Sequence, residues 1–332
     1  MTTTFVTGGS GFVGRTLIPA LRARGDEVRA LVRSDSASAM VSSLGAAPVR
    51  GDLDDHEAMR DGMHGADLII HAAGLLTEWA ARETFERINV AGTRTVLAAA
   101  REAGVARLVF FSSTAVVVDG TPLVRVDETR PASRRAYPRY CASKAAAEAL
   151  VLAANGPGLQ TMAIRPAMLW GPDDTSMLPE YIKGVRDGRW MWVDGGGHLT
   201  STCHVVNAIH GAVCAAERGR GGEAYYLTDG EPVVFREFMT RLLGAHGVTI
   251  DAKRIPGRLA RPVARTTERI WDLLRLPGKP PATRLGLGLI GAELTFVDAK
   301  ARREIGYAPL VTVEEGLREL ERLRPSMVHD RK

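Results

Sequence analysis

The sequence predicts an α/β protein, a doubly wound parallel sheet followed by a smaller C-terminal lobe. Three observations carry that prediction. Short apolar runs alternate with helix-like segments through the first half of the chain, which is the pattern of a parallel sheet. A glycine-rich turn running from Thr7 to Gly14 follows the first apolar run directly. Beyond Pro166 the alternation decays, and Gly- and Pro-containing loops at Trp170–Asp173 and Asp194–Gly197 break the chain.

Taken in order, a strand is expected at Thr3–Thr7, where Phe5 and Val6 lead into the glycines, with a helix over Gly11–Ala23. Further strands are expected at Glu27–Val32, Ala47–Arg50, Leu68–His71, Arg107–Ser112 and Gln160–Ile164, with a helix over Val90–Ala103. Their brief, nearly continuous apolar character suits strands covered on both faces. The chain shows no fixed-period repeat and no low-complexity tract, so solenoid and linker readings fall away.

Composition bounds the function. A chain of 332 residues, 45% hydrophobic and 24% charged, can bury a sizeable core and is ordinary for a soluble globular enzyme. The net charge of +5 arises from 43 basic and 38 acidic residues spread along the chain, which leaves no nucleic-acid footprint. Cys141, Cys203 and Cys214 are odd in number and lack metal-ligand spacing. That argues against a disulfide framework or a structural metal, and for a reducing compartment, the cytoplasm. No signal peptide or membrane span is expected: the start lacks a basic segment followed by an apolar core, and nowhere does an apolar run approach about 18 residues.

The glycine turn carries the first chemistry. Gly8 suits the tight turn, Gly11 a close backbone approach to a pyrophosphate, and Gly14 the packing of helix on strand; the amides around Phe12 and Val13 open the helix that would face the phosphates. The spacing is GxxGxxG rather than GxGxxG. The residue that reads the ribose belongs at the end of the second strand, and there the chain has Arg33. A guanidinium matches the 2′-phosphate of NADP through paired charge-assisted hydrogen bonds, so NADP is the expected cofactor, with NAD the alternative if Asp35 reads the ribose and Arg33 is only a solvated arginine. The expected division is a Rossmann-type dinucleotide-binding domain over residues 1–165 with a return segment near 200–228, and a substrate lobe from 166–199 and 229–332.

The second chemistry lies in Tyr140-Cys141-Ala142-Ser143-Lys144. Tyrosine and lysine four apart share one helical face. A free phenol titrates near pH 10 and is a poor acid-base catalyst at neutrality, so a neighbouring ammonium is what would make Tyr140 useful. The alternative, two surface residues of an Ala-rich helix, loses weight beside the glycine motif.

With both motifs in hand, the chain resembles the extended short-chain dehydrogenases/reductases along nearly its whole length. The resemblance rests on the glycine motif, Gly51–Leu53, His71–Gly74, Asn89–Thr93, Ser112–Thr114, the Tyr140–Lys144 segment and Arg165–Pro172. It implies that Thr114, with Ser113 as the adjacent candidate, hydrogen-bonds the substrate oxygen. It implies further that Asp52, beside Leu53, meets the adenine amino group, that Ala72 and Ala73 line the cofactor with Pro166 on the same side, and that Lys144 holds the nicotinamide ribose. Asn89 is read either as a scaffold residue of the active site or as a helix N-cap.

Within that family the sequence leans away from sugar nucleotides. Their RxxN segment reads Arg165-Pro166-Ala167-Met168 here, and Thr200 stands where an arginine would hold a diphosphate. The segments Ser201–Gly211 and Tyr225–Val233 are similar to those of 3β-hydroxysteroid dehydrogenases, sterol carboxylate dehydrogenases and bacterial 2-alkyl-3-oxoalkanoate reductases. The resemblance implies NADPH-dependent reduction of a hydrophobic ketone, or the reverse oxidation, with Tyr140 as proton donor. Candidate pocket residues are Leu75, Leu76, Trp79, Met168, Trp170, Met177 and Leu178, each readable as plain core instead. His204 is read either as a packing residue or as an acid-base group. Arg258–Leu276 mixes arginines with Leu259, Val263, Ile270, Leu273 and Leu274; the expected reading is a helix whose apolar stripe packs on the lobe or caps the pocket, interrupted in its first turn by Pro262, with membrane contact as the rival. A homodimer is common in the family, although no segment here demands it. The competing functions are a sugar-nucleotide epimerase or dehydratase with tightly held NAD, and a non-catalytic dinucleotide-binding regulator.

Overall fold

The structure, a computed structural model, describes residues 1–133 and 138–323. Strand β1 (Thr3–Thr7) buries Phe5 and Val6 completely and ends in the glycine turn, from which α1 (Phe12–Ala23) starts. Strands β2 (Glu27–Val32), β3 (Ala47–Arg50), β4 (Leu68–His71) and β5 (Arg107–Phe111) follow, each reached through a helical crossover. Polar caps set two of these crossovers: the Ser34 hydroxyl accepts from Ala37 N at the start of α2 (Asp35–Ser43), and Asp55 from Ala58 N at the start of α3 (His56–Met63). The strands expected from sequence coincide with these, the fifth ending one residue earlier.

The helix expected over Val90–Ala103 has a different beginning. A short α4 (Arg82–Phe85) runs through a π-helical stretch, Glu86–Ala91, into α5 (Gly92–Glu102). Asn89 sits inside that wide turn and is buried. Its side chain accepts from Leu75 N at 2.7 Å and donates to Leu75 O and to Ser143 Oγ at 2.9 Å, so it braces neighbouring segments and is not an N-cap. Such π-bulges cost helical hydrogen bonds and often sit at functional sites.

After β6 (Leu123–Val126) and α6 (Arg139–Ala153), β7 (Gln160–Pro166) pairs with β5. The chain then forms β8 (Met168–Trp170), α7 (Leu178–Arg186), β9 (Trp192–Val193), β10 (Leu199–Thr200), β11 (Thr202–His204) and α8 (Val205–Arg218), and returns to the main sheet as β12 (Ala224–Leu227). Seven parallel strands result, in the order β12-β7-β5-β4-β1-β2-β3. The order reverses at β1, which puts a crevice beyond the carboxyl ends of β1 and β4, where open α/β sheets bind ligands.

The remaining elements are β13 (Val233–Val234), α9 (Phe235–Ala245), β14 (Arg254–Ile255), α10 (Gly257–Leu274), α11 (Arg284–Ile290), β15 (Leu294–Phe296), α12 (Ala299–Ile305) and α13 (Val313–Leu323). Strand β6 leaves the first half of the chain to pair with β15, and a small sheet β13-β10-β15-β6 forms over the crevice. Helix α10 runs unbroken through Pro262, so the expected interruption is absent. Its apolar stripe also departs from expectation: Ala260, Ala264 and Glu268 pack inward, whereas Leu259, Val263, Ile270, Leu273 and Leu274 are exposed. Among the described residues, no helix is long and apolar enough to cross a membrane and no His/Cys/Asp/Glu cluster fit for a metal is found.

Candidate active site

A cavity of about 670 Å³ occupies the crevice between sheet and lobe. One end is built from backbone. Gly8 lies at φ +78°, and a Cβ there would stand 2.7 Å from Ala73 N; a Cβ on Gly14 would stand 2.3 Å from Gly8 O. Glycine is therefore required at both places, and the bare turn delivers the free amides of the α1 N-terminus to the cavity. A cradle of this shape fits a dinucleotide pyrophosphate. Gly8, Gly11, Phe12 and Val13 line it, whereas Gly14 is hidden behind them in the turn.

Arg33, Asp52, Leu53, Ala72 and Ala73 line the same end. The Arg33 guanidinium is largely exposed and 3.6 Å from Asp52, free to turn toward a ligand. Asp35, the rival ribose reader, is engaged by Arg50 at 2.8 Å and is absent from the cavity wall.

At mid-cavity stand Ser113, Thr114 and Tyr140, with Pro166 beside them. Ser113 caps the 3₁₀ turn Thr114–Val117, accepting from Ala115 N, and its hydroxyl lies close enough to the Tyr140 phenol to lower its pKa. Among the described residues the Thr114 hydroxyl has no partner, which leaves it available to a ligand. Burial, with Cys141 adjacent, pushes the Tyr140 phenol well above its ordinary pKa, the nearby Ser113 hydroxyl opposing, so the phenol is protonated at neutral pH.

Lys144, one turn along α6, is buried behind the tyrosine. Its Nζ donates to Phe111 O at 2.7 Å and lies 4.1 Å from the centre of the Phe110 ring. Burial lowers its pKa to about 7, partly offset by Glu148 a turn further on. Glu148 in turn is held by Arg165 through two hydrogen bonds of 2.6 and 2.9 Å and accepts from Ser112 Oγ at 2.6 Å. A buried pair this fully satisfied fixes the floor on which Lys144 rests.

The far end is apolar. Leu75, Leu76, Met168 and Met177 line it as expected from sequence, joined by Leu169, Tyr181, Leu285, Leu289, Leu294 and Phe296. The last four come from α11 and β15, and only the return of the distant chain puts them there. Three expected pocket residues lie elsewhere. Trp170 is core, edge-on to His204 and Phe238, with its indole N–H donated to Asp229 at 2.8 Å. Leu178 packs in the same aromatic core at the start of α7. Trp79 stays outside the cavity under the Arg139 guanidinium, 4.7 Å from the ring centre. His204 caps α8 from within the core, and burial lowers its pKa.

A dinucleotide cradle continuous with serine, threonine and tyrosine hydroxyls, with a buried lysine one turn along the tyrosine's helix and outside the cavity wall, defines a class of protein, the extended short-chain dehydrogenases/reductases. Residues 5–257 match the model of the 3-beta hydroxysteroid dehydrogenase/isomerase family. The chain belongs to that family. It is 50% identical over 323 residues to the 4-hydroxy-2-methyl-3-oxo-4-farnesyl-3,4-dihydroquinoline-1-oxide ketoreductase of Stigmatella aurantiaca, covering 97% of both chains. It is 36% identical to the 2-alkyl-3-oxoalkanoate reductase of Stenotrophomonas maltophilia, covering 95% of this chain and 97% of the relative. The solved structure of gox2253 superimposes with a TM-score of 0.79 at 28% identity over 99% of this chain and 100% of the other. The dTDP-glucose 4,6-dehydratase DesIV of Streptomyces venezuelae, at 24% identity and a TM-score of 0.75 over 97% and 96%, shares the fold. The protein is an oxidoreductase of the CH–OH/C=O class that uses a nicotinamide dinucleotide.

Proposed function

We propose that the protein is an NADPH-preferring ketoreductase of bulky hydrophobic 3-oxo compounds, running in the oxidative direction when an alcohol is supplied with the oxidised cofactor. The observation that carries this reading is the sequence of surfaces along one cavity: a glycine cradle, a hydroxyl and phenol cluster, and an apolar wall. The cofactor, when bound, supplies the hydride. Tyr140 gives its proton to the oxygen of the ketone as charge develops there, and Thr114 donates a second hydrogen bond to that oxygen. Ser113 orients the phenol, and the Lys144 ammonium stabilises the phenolate left behind and holds the ribose hydroxyls. Arg33 reads the 2′-phosphate.

The apolar wall supports a greasy substrate, and the substrates for which the two relatives are named, a farnesylated quinoline oxide and a 2-alkyl-3-oxoalkanoate, are of that kind. At the position where a diphosphate would need cations the cavity carries Thr200, which weighs against a sugar nucleotide. The division into residues 1–165 with the return of 200–228, and 166–199 with 229–332, is supported by β12 joining the main sheet; residues 324–332 of that span lie outside the described residues. The test is cofactor oxidation by purified protein with NADPH and NADH in parallel, against 2-alkyl-3-oxo acids, 3-oxosteroids and prenylated quinolones. Turnover with NADPH on one of these is expected. Turnover confined to sugar nucleotides, or firm NADPH binding with none of these ketones reduced, overturns the reading.

A further inference from the structure

We propose that Tyr181 is a specificity-determining residue whose phenol donates a hydrogen bond to a second, uncharged oxygen of the ketone substrate. The assignment rests on the ketoreductase reading above and narrows it to a neutral ketone that carries a further acceptor. Tyr181 belongs to α7, and its N–H donates to Met177 O at 3.1 Å, so one helical turn brings both side chains to the apolar half of the cavity. Packing holds the ring. It stands edge-on to Trp190 with 5.7 Å between centres, and Trp190 stands edge-on to Trp192 at the same separation. A phenol fixed in this way presents its hydroxyl in one place.

That hydroxyl has no hydrogen-bond partner among the described residues. The hydroxyls of Tyr225, Tyr226 and Tyr307 each have one, in Arg220 N, Arg165 and Thr228 O. Nor is it sealed in the core, as the indole nitrogens of Trp190 and Trp192 are. Taking a phenol out of water without replacing its hydrogen bonds is unfavourable, so a donor left open on an apolar wall points to a ligand oxygen. Thr200, on β10, is the rival donor: it lines the same cavity, and its hydroxyl too lacks a partner among the described residues.

Charge decides which oxygen suits the site. The charged side chains in the cavity wall are Arg33, Asp52, Asp54 and Arg87, all at the cofactor end, where Arg33 faces Asp52 and Arg87 lies 3.9 Å from Asp54. Among the described residues, the apolar half therefore has no cation in its wall. The charges nearest Tyr181 are acidic: burial, then Glu78 and Asp174, push its phenol pKa up, which keeps it a proton donor. Lys279 pairs with Glu78 at 3.1 Å but does not reach the wall. A carboxylate placed there would lose its hydration with no cation in return, whereas an ester, amide or ketone oxygen accepts from the phenol without that cost.

Three probes of matched chain length test the assignment: a 2-alkyl-3-oxo ester, the corresponding 3-oxo acid, and the plain ketone lacking the second oxygen. Binding to the purified protein is read by quenching of tryptophan fluorescence, Trp190 lying against Tyr181, and turnover by NADPH oxidation. Wild type is expected to bind the ester tightest of the three. Tyr181→Phe should lower the ester-over-ketone ratio by about tenfold, in binding and in kcat/KM alike, with melting temperature and NADPH affinity retained as the check on folding. A ratio unmoved by Tyr181→Phe overturns the proposal, as does one moved by Thr200→Val in its place. Tighter binding of the acid than of the ester overturns it as well. Ester-selective binding that Tyr181→Phe abolishes, without turnover of any probe, supports the anchor and overturns the ketoreductase reading. Failure to bind any of the three overturns both.

Discussion

Thr7 and His71 are joined by a hydrogen bond of 2.7 Å between Oγ1 and Nδ1, at the carboxyl ends of adjacent strands. On its other side the ring meets Thr93 Oγ1 at 3.0 Å, and Thr93 donates to Asn89 O. Thr7 Oγ1 accepts from Ala73 N. Following the donors through this chain assigns His71 as the neutral tautomer with its proton on Nε2, every polar atom satisfied. The buried ring thereby holds the Ala72–Ala73 turn against the glycine cradle.

That arrangement has a pH consequence. Burial, with Lys144 nearby, lowers the His71 pKa to about 3. In the unfolded chain the ring titrates near 6.5, so between those values the unfolded state binds the extra proton. The stability His71 contributes is present in full above about 6.5 and falls, by on the order of 1.4 kcal/mol per pH unit, as pH drops toward about 3. Urea unfolding from pH 7 to 4 should show a shallower loss in His71→Leu than in wild type, from a lower starting stability. Parallel slopes would contradict this.

Tyr140→Phe keeps the ring against Phe85 and removes the proton. A fall in kcat of about 10²- to 10⁴-fold with cofactor affinity little changed is expected, measured by steady-state turnover and fluorescence titration of NADPH. Wild-type turnover would refute the acid role.

Lys144 titrates near 7 in the free protein. The charged form is the one that stabilises the phenolate, and it is lost as pH rises through that value. The ketone-reducing kcat/KM for NADPH, which reports the free enzyme, should therefore decline above about pH 7. A profile flat to pH 9 would exclude the ammonium from that role.

Arg33→Ala removes a guanidinium from the cofactor end of the cavity. A loss of about 10- to 100-fold in the preference for NADPH over NADH is expected from kcat/KM ratios. An unchanged ratio would remove Arg33 from the 2′-phosphate.

Gly14→Ala drives a methyl to 2.3 Å from Gly8 O, inside any tolerated contact. The turn must move, costing about 1–3 kcal/mol in thermal unfolding and weakening NADPH binding in a titration. Full retention of both would mean that the close approach of turn and helix is dispensable.

The sheet is legible in the chain alone. Phe5 with Val6, Ile69 with Ile70 and Leu108 through Phe111 are short apolar runs that suit a strand covered on both faces, and the spacing of Gly8 and Gly14 is a local backbone requirement. Tyr140 and Lys144 were legible for the same reason, since four residues on a helix is a local distance. Long-range packing set the remainder. Whether Ser113 or Thr114 meets the phenol depends on how a 3₁₀ turn is capped, and Asn89 turns inward because Leu75 and Ser143 offer it partners from other segments. Trp170 was drawn from the pocket into the core by Asp229 and Phe238, while Leu285 and Phe296 entered the pocket from over a hundred residues away. The exposed stripe of α10 was ambiguous for a related reason: helical periodicity shows that the apolar residues share a face, but only packing against the rest of the chain decides which face is covered.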